Sequence, residues 1–386
     1  MARKIIYLSW VKWTQHTAEF FFIDYCIEHG ALVEYWDIVA LMADQDIEKS
    51  EIDPGYLRYI STLEEFDKLL QQPQYQNAIF VTDIACSARS SKFFRLLSKY
   101  NCKMISFGWG RMPTSVSSTP FWRRAIRRFL VEPINSMSLA IGLLVVPAYR
   151  AIKAISRFEI VFTAGEVTPL DSVYAKKVVS LNWRDFDCYK KVKLLNNKIV
   201  KGRYAVFLDQ NFCHHPDARI SNYGQSALNE NLYKQSLNRF FSLTEEAYGI
   251  KVVIAAHPTS SNEKFEQREV YRMATADLVK NAEFVIMHSS TALSFAILNL
   301  KPILFIYTDE IKEFCKLTIF SQIERIALFL GEDIYNVNQI TNGSQIIVGS
   351  PCIENYESYK YTYLTSRESE EFFSAEIFWR ELSTLL

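Results

Sequence analysis

Four of the six histidines fall between residues 214 and 288, in three stretches where an apolar run gives way to polar residues: "LDQNFCHHPD" (208–217), "AAHP" (255–258) and "MHSSTA" (287–292). Imidazole, carboxylate and hydroxyl groups at such points can bind an anion and move a proton. Ser289, Ser290 and Thr291 precede the apolar run "ALSFAIL". The first turn of a helix offers unpaired N–H groups and a partial positive charge, and three hydroxyls there add donors for a phosphate. A helix cap with spare polar neighbours is the plainer alternative. His257 stands before Pro258, which holds it extended and out of the next helix. A histidine so fixed can donate to a phosphate or protonate a leaving oxygen, although a loop histidine is often only polar surface. Asp209 and Gln210 close the run "YAVFL" and are placed to hydrogen-bond a sugar or an acceptor. Asp209 is also a candidate base, and a turn-capping role fits it equally.

These residues need a scaffold that brings strand ends together. In the first half, strand-like "KIIYLSW" (4–10), "LVEYWDIV" (32–39), "NAIFVTDI" (77–84), "CKMISFGWG" (102–110), "RFEIVFTAG" (157–165) and "KKVVSLNW" (176–183) alternate with helix-like 16–30, 61–72 and 90–100. Gly30 stops the first helix, and Ser61 with Glu64 has capping-box spacing at the second. After a polar, basic connector at 184–203, strands at 204–210, 250–258, 283–288 and 301–308 alternate with helices near 225–248 and 265–280 and the short one after Thr291. Such alternation predicts parallel sheets covered on both faces. The expected fold is α/β, with two Rossmann-like halves (1–190 and 191–365) facing across a cleft. A C-terminal amphipathic helix at 366–386 packs back. Ligands of such sheets sit beyond the carboxyl ends of the strands.

Composition narrows the class. The chain has 386 residues, 49% hydrophobic, enough for two sizeable cores, and its 43 basic and 43 acidic residues cancel, which argues against a nucleic-acid partner. Seven scattered cysteines with no CxxC pair read as reduced thiols of a cytoplasmic protein. The N-terminus turns polar after one strand's length, unlike a secretory signal, and no apolar run reaches the roughly 20 residues of a spanning helix. No GxGxxG follows the first strand and no GxSxG occurs, which sets aside a dinucleotide oxidoreductase and a serine hydrolase. Asp44-Gln45-Asp46 and Asp185-Phe186-Asp187 match a metal-binding DxD pattern but lie in polar stretches and read as solvated loops. His214, His215, Asp217, His257 and His288 are not expected to form a metal site, because adjacent histidines in extended chain point apart. Neither a metal nor a cofactor is expected.

The His257–Pro258 motif followed by Ser289-Ser290-Thr291 resembles the HP and Ser-Ser/Thr motifs of bacterial sialyltransferases, polysialyltransferases and related capsule Kdo-transferases. These are GT-B glycosyltransferases, and the resemblance covers about 100 residues of the second half. It implies that His257 contacts or protonates the phosphate of a CMP-sugar and that Ser289 and Ser290 bind that phosphate. The acidic–acidic–glycine motif that carries the base in those sialyltransferases is missing; Gly331-Glu332-Asp333 has the reverse order and lies in the other half. An inverting transfer still needs a group to deprotonate the acceptor hydroxyl. Asp83, ending "IFVTD", and His16, after the first strand, are the positional candidates, with capping roles open for both.

"FWRRAIRRFLVEPINSMSLAIGLLVVPAYRAIKAISRF" (121–158) sets Arg123, Arg124, Arg127 and Arg128 opposite an apolar face, and from Arg111 to Arg157 eight basic residues meet one acid, Glu132. This suits a helix lying on an anionic membrane, at roughly 1 kcal/mol per basic residue. An ordinary amphipathic helix whose arginines bind an anionic acceptor is the alternative. The leading expectation is a metal-independent inverting transferase. It moves an acidic sugar from CMP to a surface polysaccharide or lipid-linked glycan, in capsule or lipopolysaccharide synthesis, at the inner face of the cell membrane. A UDP-sugar or CDP-glycerol transferase and a non-catalytic membrane-associated adaptor are the alternatives.

Overall fold

The computed structural model describes residues 4–43, 49–50, 52–108, 144–166, 170–213, 229–258, 260, 265–315 and 319–386. The chain divides into two compact units. One comprises the described residues up to Arg184 together with Thr365–Leu386, and the other Asp185–Leu364.

The first unit carries seven strands: β1 (Lys4–Ser9), β2 (Leu32–Asp37), β3 (Leu57–Tyr59), β4 (Ile79–Thr82), β5 (Lys103–Gly108), β6 (Phe158–Ala164) and β7 (Ala175–Leu181). They pair in the order β3-β2-β1-β4-β5-β6-β7, and every pairing is parallel. Because side chains alternate along a strand, the sheet feeds two cores. Ile6, Leu8, Phe80, Met104 and Val161 face helices Leu63–Leu70 and Ser91–Lys99 through Phe66, Leu70, Phe93, Phe94 and Leu97. Ile5, Tyr7, Ile79, Val81, Phe107 and Phe162 face the other way, where Ala18, Phe21 and Cys26 pack with Ile377, Phe378 and Leu382 of the C-terminal helix Ser374–Ser383. Burial on both faces is the reason these strands read as near-continuous apolar runs.

The second unit repeats the plan with β8 (Tyr204–Leu208), β9 (Lys251–Ala255), β10 (Val270–Tyr271), β11 (Val285–Met287), β12 (Ile303–Tyr307) and β13 (Ile334–Asn336), ordered β10-β9-β8-β11-β12-β13 and again parallel throughout. Its longest helix, Glu230–Tyr248, starts where the Asn229 side chain accepts from the N–H groups of Asn231 and Leu232, and ends at Gly249, whose φ of 58° suits a residue without Cβ. The expected α/β class with two Rossmann-like sheets is therefore present.

Several local expectations differ. The helix expected over 16–30 is two, Gln15–Phe20 and Ile23–Glu28, separated at Phe22 by a left-handed backbone (φ 56°). Thr62, not Ser61, caps helix Leu63–Leu70 by accepting from the Glu65 N–H at 3.1 Å. The stretch expected as helix from 265 to 280 holds β10 and then helix Thr275–Asn281. The connector expected at 184–203 begins with a helix, Arg184–Leu194.

Candidate functional site at the carboxyl edges of the two sheets

In both sheets the strand order reverses beside the first strand, at β1/β4 and at β8/β11. That is the position where doubly wound sheets leave a crevice at their carboxyl edge. Each reversal point holds residues singled out by the sequence.

In the second unit, β9, β8 and β11 are neighbours, so the His257, Asp209–Gln210 and Ser289 turns lie side by side on one edge. Two strand spacings, about 10 Å, separate the outer two. The turns are tied together. The Asp209 N–H donates to Ala255 O at 3.0 Å, and the Ser289 N–H donates to Gln210 Oε1 at 2.8 Å, bridging the reversal point. The Asn211 N–H donates to Asp209 Oδ1 at 3.2 Å, so one Asp209 oxygen is committed to holding its own turn. Beyond β9, the Ser260 N–H donates to His257 O at 2.9 Å and closes the His257–Pro258 turn. His257 is partly buried and Pro258 exposed.

His288 fixes the hydroxyl turn from beneath. It is fully buried, its Nδ1–H donates to Ile306 O at 2.7 Å, and its Nε2 accepts from the Tyr233 hydroxyl at 3.0 Å. Burial pushes its pKa down to about 4, with the Ile306 bond opposing more weakly, so the ring is neutral. Phe207, Phe212 and Tyr233 surround the ring. His288 is therefore a structural support for the turn.

The hydroxyl run differs from expectation in one respect. The following helix, Leu293–Leu298, has six residues, and the residue at its N-cap, Ala292, has no side-chain group to cap it. Ser290 Oγ accepts from the Ala292 N–H at 3.2 Å, Thr291 is exposed, and Ser289 is 3% exposed. The hydroxyls precede the helix and do not cap it, so an anion there would be held by the turn and little by a helix dipole. Ser289 Oγ is buried with no hydrogen-bond partner. A buried hydroxyl in that state is ready for a ligand. Two further buried groups share this condition on the neighbouring turns, Asn211 Oδ1 and Ser260 Oγ. Neither stands out in the sequence; a polar residue three positions beyond β8 and another five beyond β9 were the only signal.

The DxD-like pair at 185–187 is also different from expectation. Asp185 is buried at the start of helix Arg184–Leu194 and accepts from Ser294 Oγ, so it anchors the helix that follows the hydroxyl turn.

In the first unit Asp83 follows β4 and lies beside Ser9, the last residue of β1. Burial pushes its pKa up to about 6, against smaller lowering by its own backbone N–H and by the Ser9 hydroxyl. Its Oδ1 is buried without a partner. Nearby Asp37, at the end of β2, is likewise raised by burial, with the Val39 N–H and Lys12 opposing. His16 is exposed, and its Nε2 accepts from Arg184 Nη1 at 2.6 Å, which places the ring proton on Nδ1 and occupies the lone pair a base would use. Thr14, not His16, caps that helix. Of the two positional candidates for a base, Asp83 has the better environment. Arg123, Arg124, Arg127 and Arg128 lie outside the described residues, as do His214, His215, Asp217, Asp44 and Asp46. Among the described residues there is no disulfide, and no group of three or more potential metal ligands gathers. Among the same residues no helix is long and apolar enough to cross a membrane.

No family model and no curated sequence matches the chain. Among solved structures, the wall teichoic acid polymerase TagF is similar over 100% of this chain and 90% of its own, with 11% identity and a TM-score of 0.49. The calicheamicin glycosyltransferase CalG4 covers 100% and 95% at 11% identity and a TM-score of 0.48. The UDP-GlcNAc 2-epimerase of Methanocaldococcus jannaschii, solved with UDP-GlcNAc and UDP, covers 99% of each chain at 12% identity and a TM-score of 0.44. At such scores these likenesses carry no property from those proteins to this chain.

Proposed function

We propose that the chain is a metal-independent GT-B glycosyltransferase that moves an acidic sugar, a nonulosonate or Kdo, from CMP onto a surface polysaccharide or lipid-linked glycan. The observation that supports this most is the second sheet's reversal point. A hydrogen bond from the Ser289 N–H to the Gln210 side chain holds a buried, unpartnered Ser289 hydroxyl there, two strand spacings from the His257–Pro258 turn. In this reading the donor phosphate accepts from Ser289 and from the Ser290–Thr291 turn. The bond from the anomeric carbon to the phosphate oxygen breaks with its electron pair passing to the phosphate. His257 donates to that phosphate as its charge develops, so preformed donors meet charge in the transition state. The acceptor oxygen attacks the opposite face of the anomeric carbon and gives its proton to a general base; Asp83, with a pKa near 6 that leaves it an effective base at neutral pH, is our candidate for that role.

The same proposal places the protein on the anionic inner face of a membrane. Within the described part of the basic apolar segment, Leu144 is 74% and Ile152 72% exposed, close in sequence to Arg150, Lys153 and Arg157. A groove of about 440 Å³ lined by Lys92, Arg95, Lys99 and Lys153 with Leu63 and Leu96 adds cationic surface.

The test is turnover with a panel of CMP-, UDP- and CDP-linked donors. Release of CMP from a CMP-linked acidic sugar, abolished in His257→Ala, is the expected result. Turnover confined to a UDP-sugar or CDP-glycerol would remove the donor assignment, and no turnover of any donor would leave the non-catalytic adaptor.

A further inference from the structure

Among the described side-chain atoms on the carboxyl edge of the second sheet, Asn211 Oδ1 after β8, Ser260 Oγ after β9 and Ser289 Oγ after β11 are buried without a partner, on three adjacent turns. Their residues are 5%, 3% and 3% exposed. Leaving a polar group buried and unpaired costs about 1–3 kcal/mol. Three together on the edge where such sheets take ligands therefore mark one polar ligand with several contact points.

The three atoms differ in chemistry. A serine hydroxyl donates, which suits phosphate. A carbonyl oxygen only accepts, and a phosphate at neutral pH offers almost nothing but acceptors, so Asn211 Oδ1 is mismatched to it. Its complement is an O–H group. The backbone at Asn211 is held for presentation. Its φ is 50°, a left-handed conformation that non-glycine residues rarely adopt, although asparagine tolerates it best. It is pinned by the Asp209 side chain on one side and by Phe212 packed on Tyr233 and His288 on the other. Strain of this kind concentrates at binding sites. Ser260 is fixed next to His257 by its own N–H, so its hydroxyl stands beside the imidazole turn.

We infer that Asn211 and Ser260 bind the hydroxyls of a sugar ring attached to the phosphate that Ser289 holds. The inference rests on the proposal that this edge binds a nucleotide-linked donor, and it adds a hydroxyl-reading subsite on the β8 and β9 turns. A ring with neighbouring hydroxyls supplies a donor to the asparagine and either role to the serine. The ribose and the transferred sugar both have this chemistry.

Calorimetric titration of the full chain with CMP, 2′,3′-dideoxy-CMP and a CMP-linked nonulosonate separates the possibilities. Asn211→Gly removes the amide while keeping a residue that favours the left-handed backbone, and Ser260→Ala removes the hydroxyl. The expected result is that each variant loses about five- to tenfold in affinity for a hydroxyl-bearing ligand. With the ribose in the subsite, the wild-type preference for CMP over its dideoxy analogue collapses. With the transferred sugar there, the preference for the intact donor over CMP collapses. Either outcome supports the subsite. Should Ser289→Ala weaken all ligands while Asn211→Gly and Ser260→Ala leave both preferences unchanged, the subsite is overturned and the nucleotide proposal stands. Should the wild type bind none of the three ligands, the nucleotide proposal itself fails and the subsite with it. Thermal midpoints within a few degrees of wild type show that the variants are folded.

Discussion

Asp83→Asn is expected to stabilise the protein and inactivate it. Asp83 has a pKa of about 6 against an ordinary 3.8 because burial disfavours its charge. Below about pH 4 the carboxyl is protonated in folded and unfolded chains alike and contributes no pH dependence. Between 4 and 6 the folded state binds more protons than the unfolded, so stability falls as pH rises. Above 6 the whole penalty is present. The gap between 3.8 and about 6 corresponds to roughly 3 kcal/mol at 1.36 kcal/mol per pH unit, a ceiling because the side chain is only partly buried. Asparagine carries no charge to desolvate. Thermal and chaotrope unfolding of both proteins from pH 4 to 8 should therefore show the variant more stable by about 1–3 kcal/mol at pH 8, with the gap closing toward pH 4. Asp37, raised by burial, and His288, lowered by it, are present in each protein and cancel in the difference. Donor turnover in the wild type should fall as pH drops below about 6, where the base is protonated, and should be lost in the variant at every pH. A variant less stable than wild type at pH 8, or a gap independent of pH, would refute this account of Asp83.

His288→Phe should destabilise by roughly 2 kcal/mol at pH 7.5, because it removes two buried hydrogen bonds, to Ile306 O and from the Tyr233 hydroxyl. Since the wild-type ring has a folded pKa of about 4 against 6.5, the wild type loses stability as pH falls from 6.5 toward 4 and the variant does not; chaotrope midpoints at pH 7.5 and 5 should show the gap narrowing. Gly343→Ala should lower the melting temperature by a few degrees, since a Cβ there would lie 2.6 Å from Ala247 Cβ and 2.9 Å from Leu243 O. Sedimentation with vesicles should show binding to bilayers containing anionic lipid, falling with salt and absent for neutral bilayers; equal binding to both would contradict the membrane assignment.

Much of the scaffold was legible because a parallel sheet buried on both faces writes its strands as apolar runs, such as Ile5–Leu8 and Ala205–Leu208. The edge strands β3, β10 and β13 have three, two and three residues, too few for any period to show. Phe22 breaks a helical pattern by a backbone dihedral that the residue type does not announce. Asp185 looked solvated because its neighbours are polar; its partner, Ser294, is distant in sequence. At the site, His257, Gln210 and Ser289 were readable as polar residues where apolar runs stop. Asn211 and Ser260 were not, because being buried without a partner is a property of three turns assembled together. His288, by type the most reactive residue of its stretch, is buried under the turn as its support.

The most direct measurement is a crystal structure of the chain soaked with CMP. The account places the phosphate within about 3 Å of Ser289 Oγ, on the β8/β11 edge, with the His257 ring turned toward it. A nucleotide bound elsewhere, or one that leaves the Ser289 hydroxyl untouched, would contradict it.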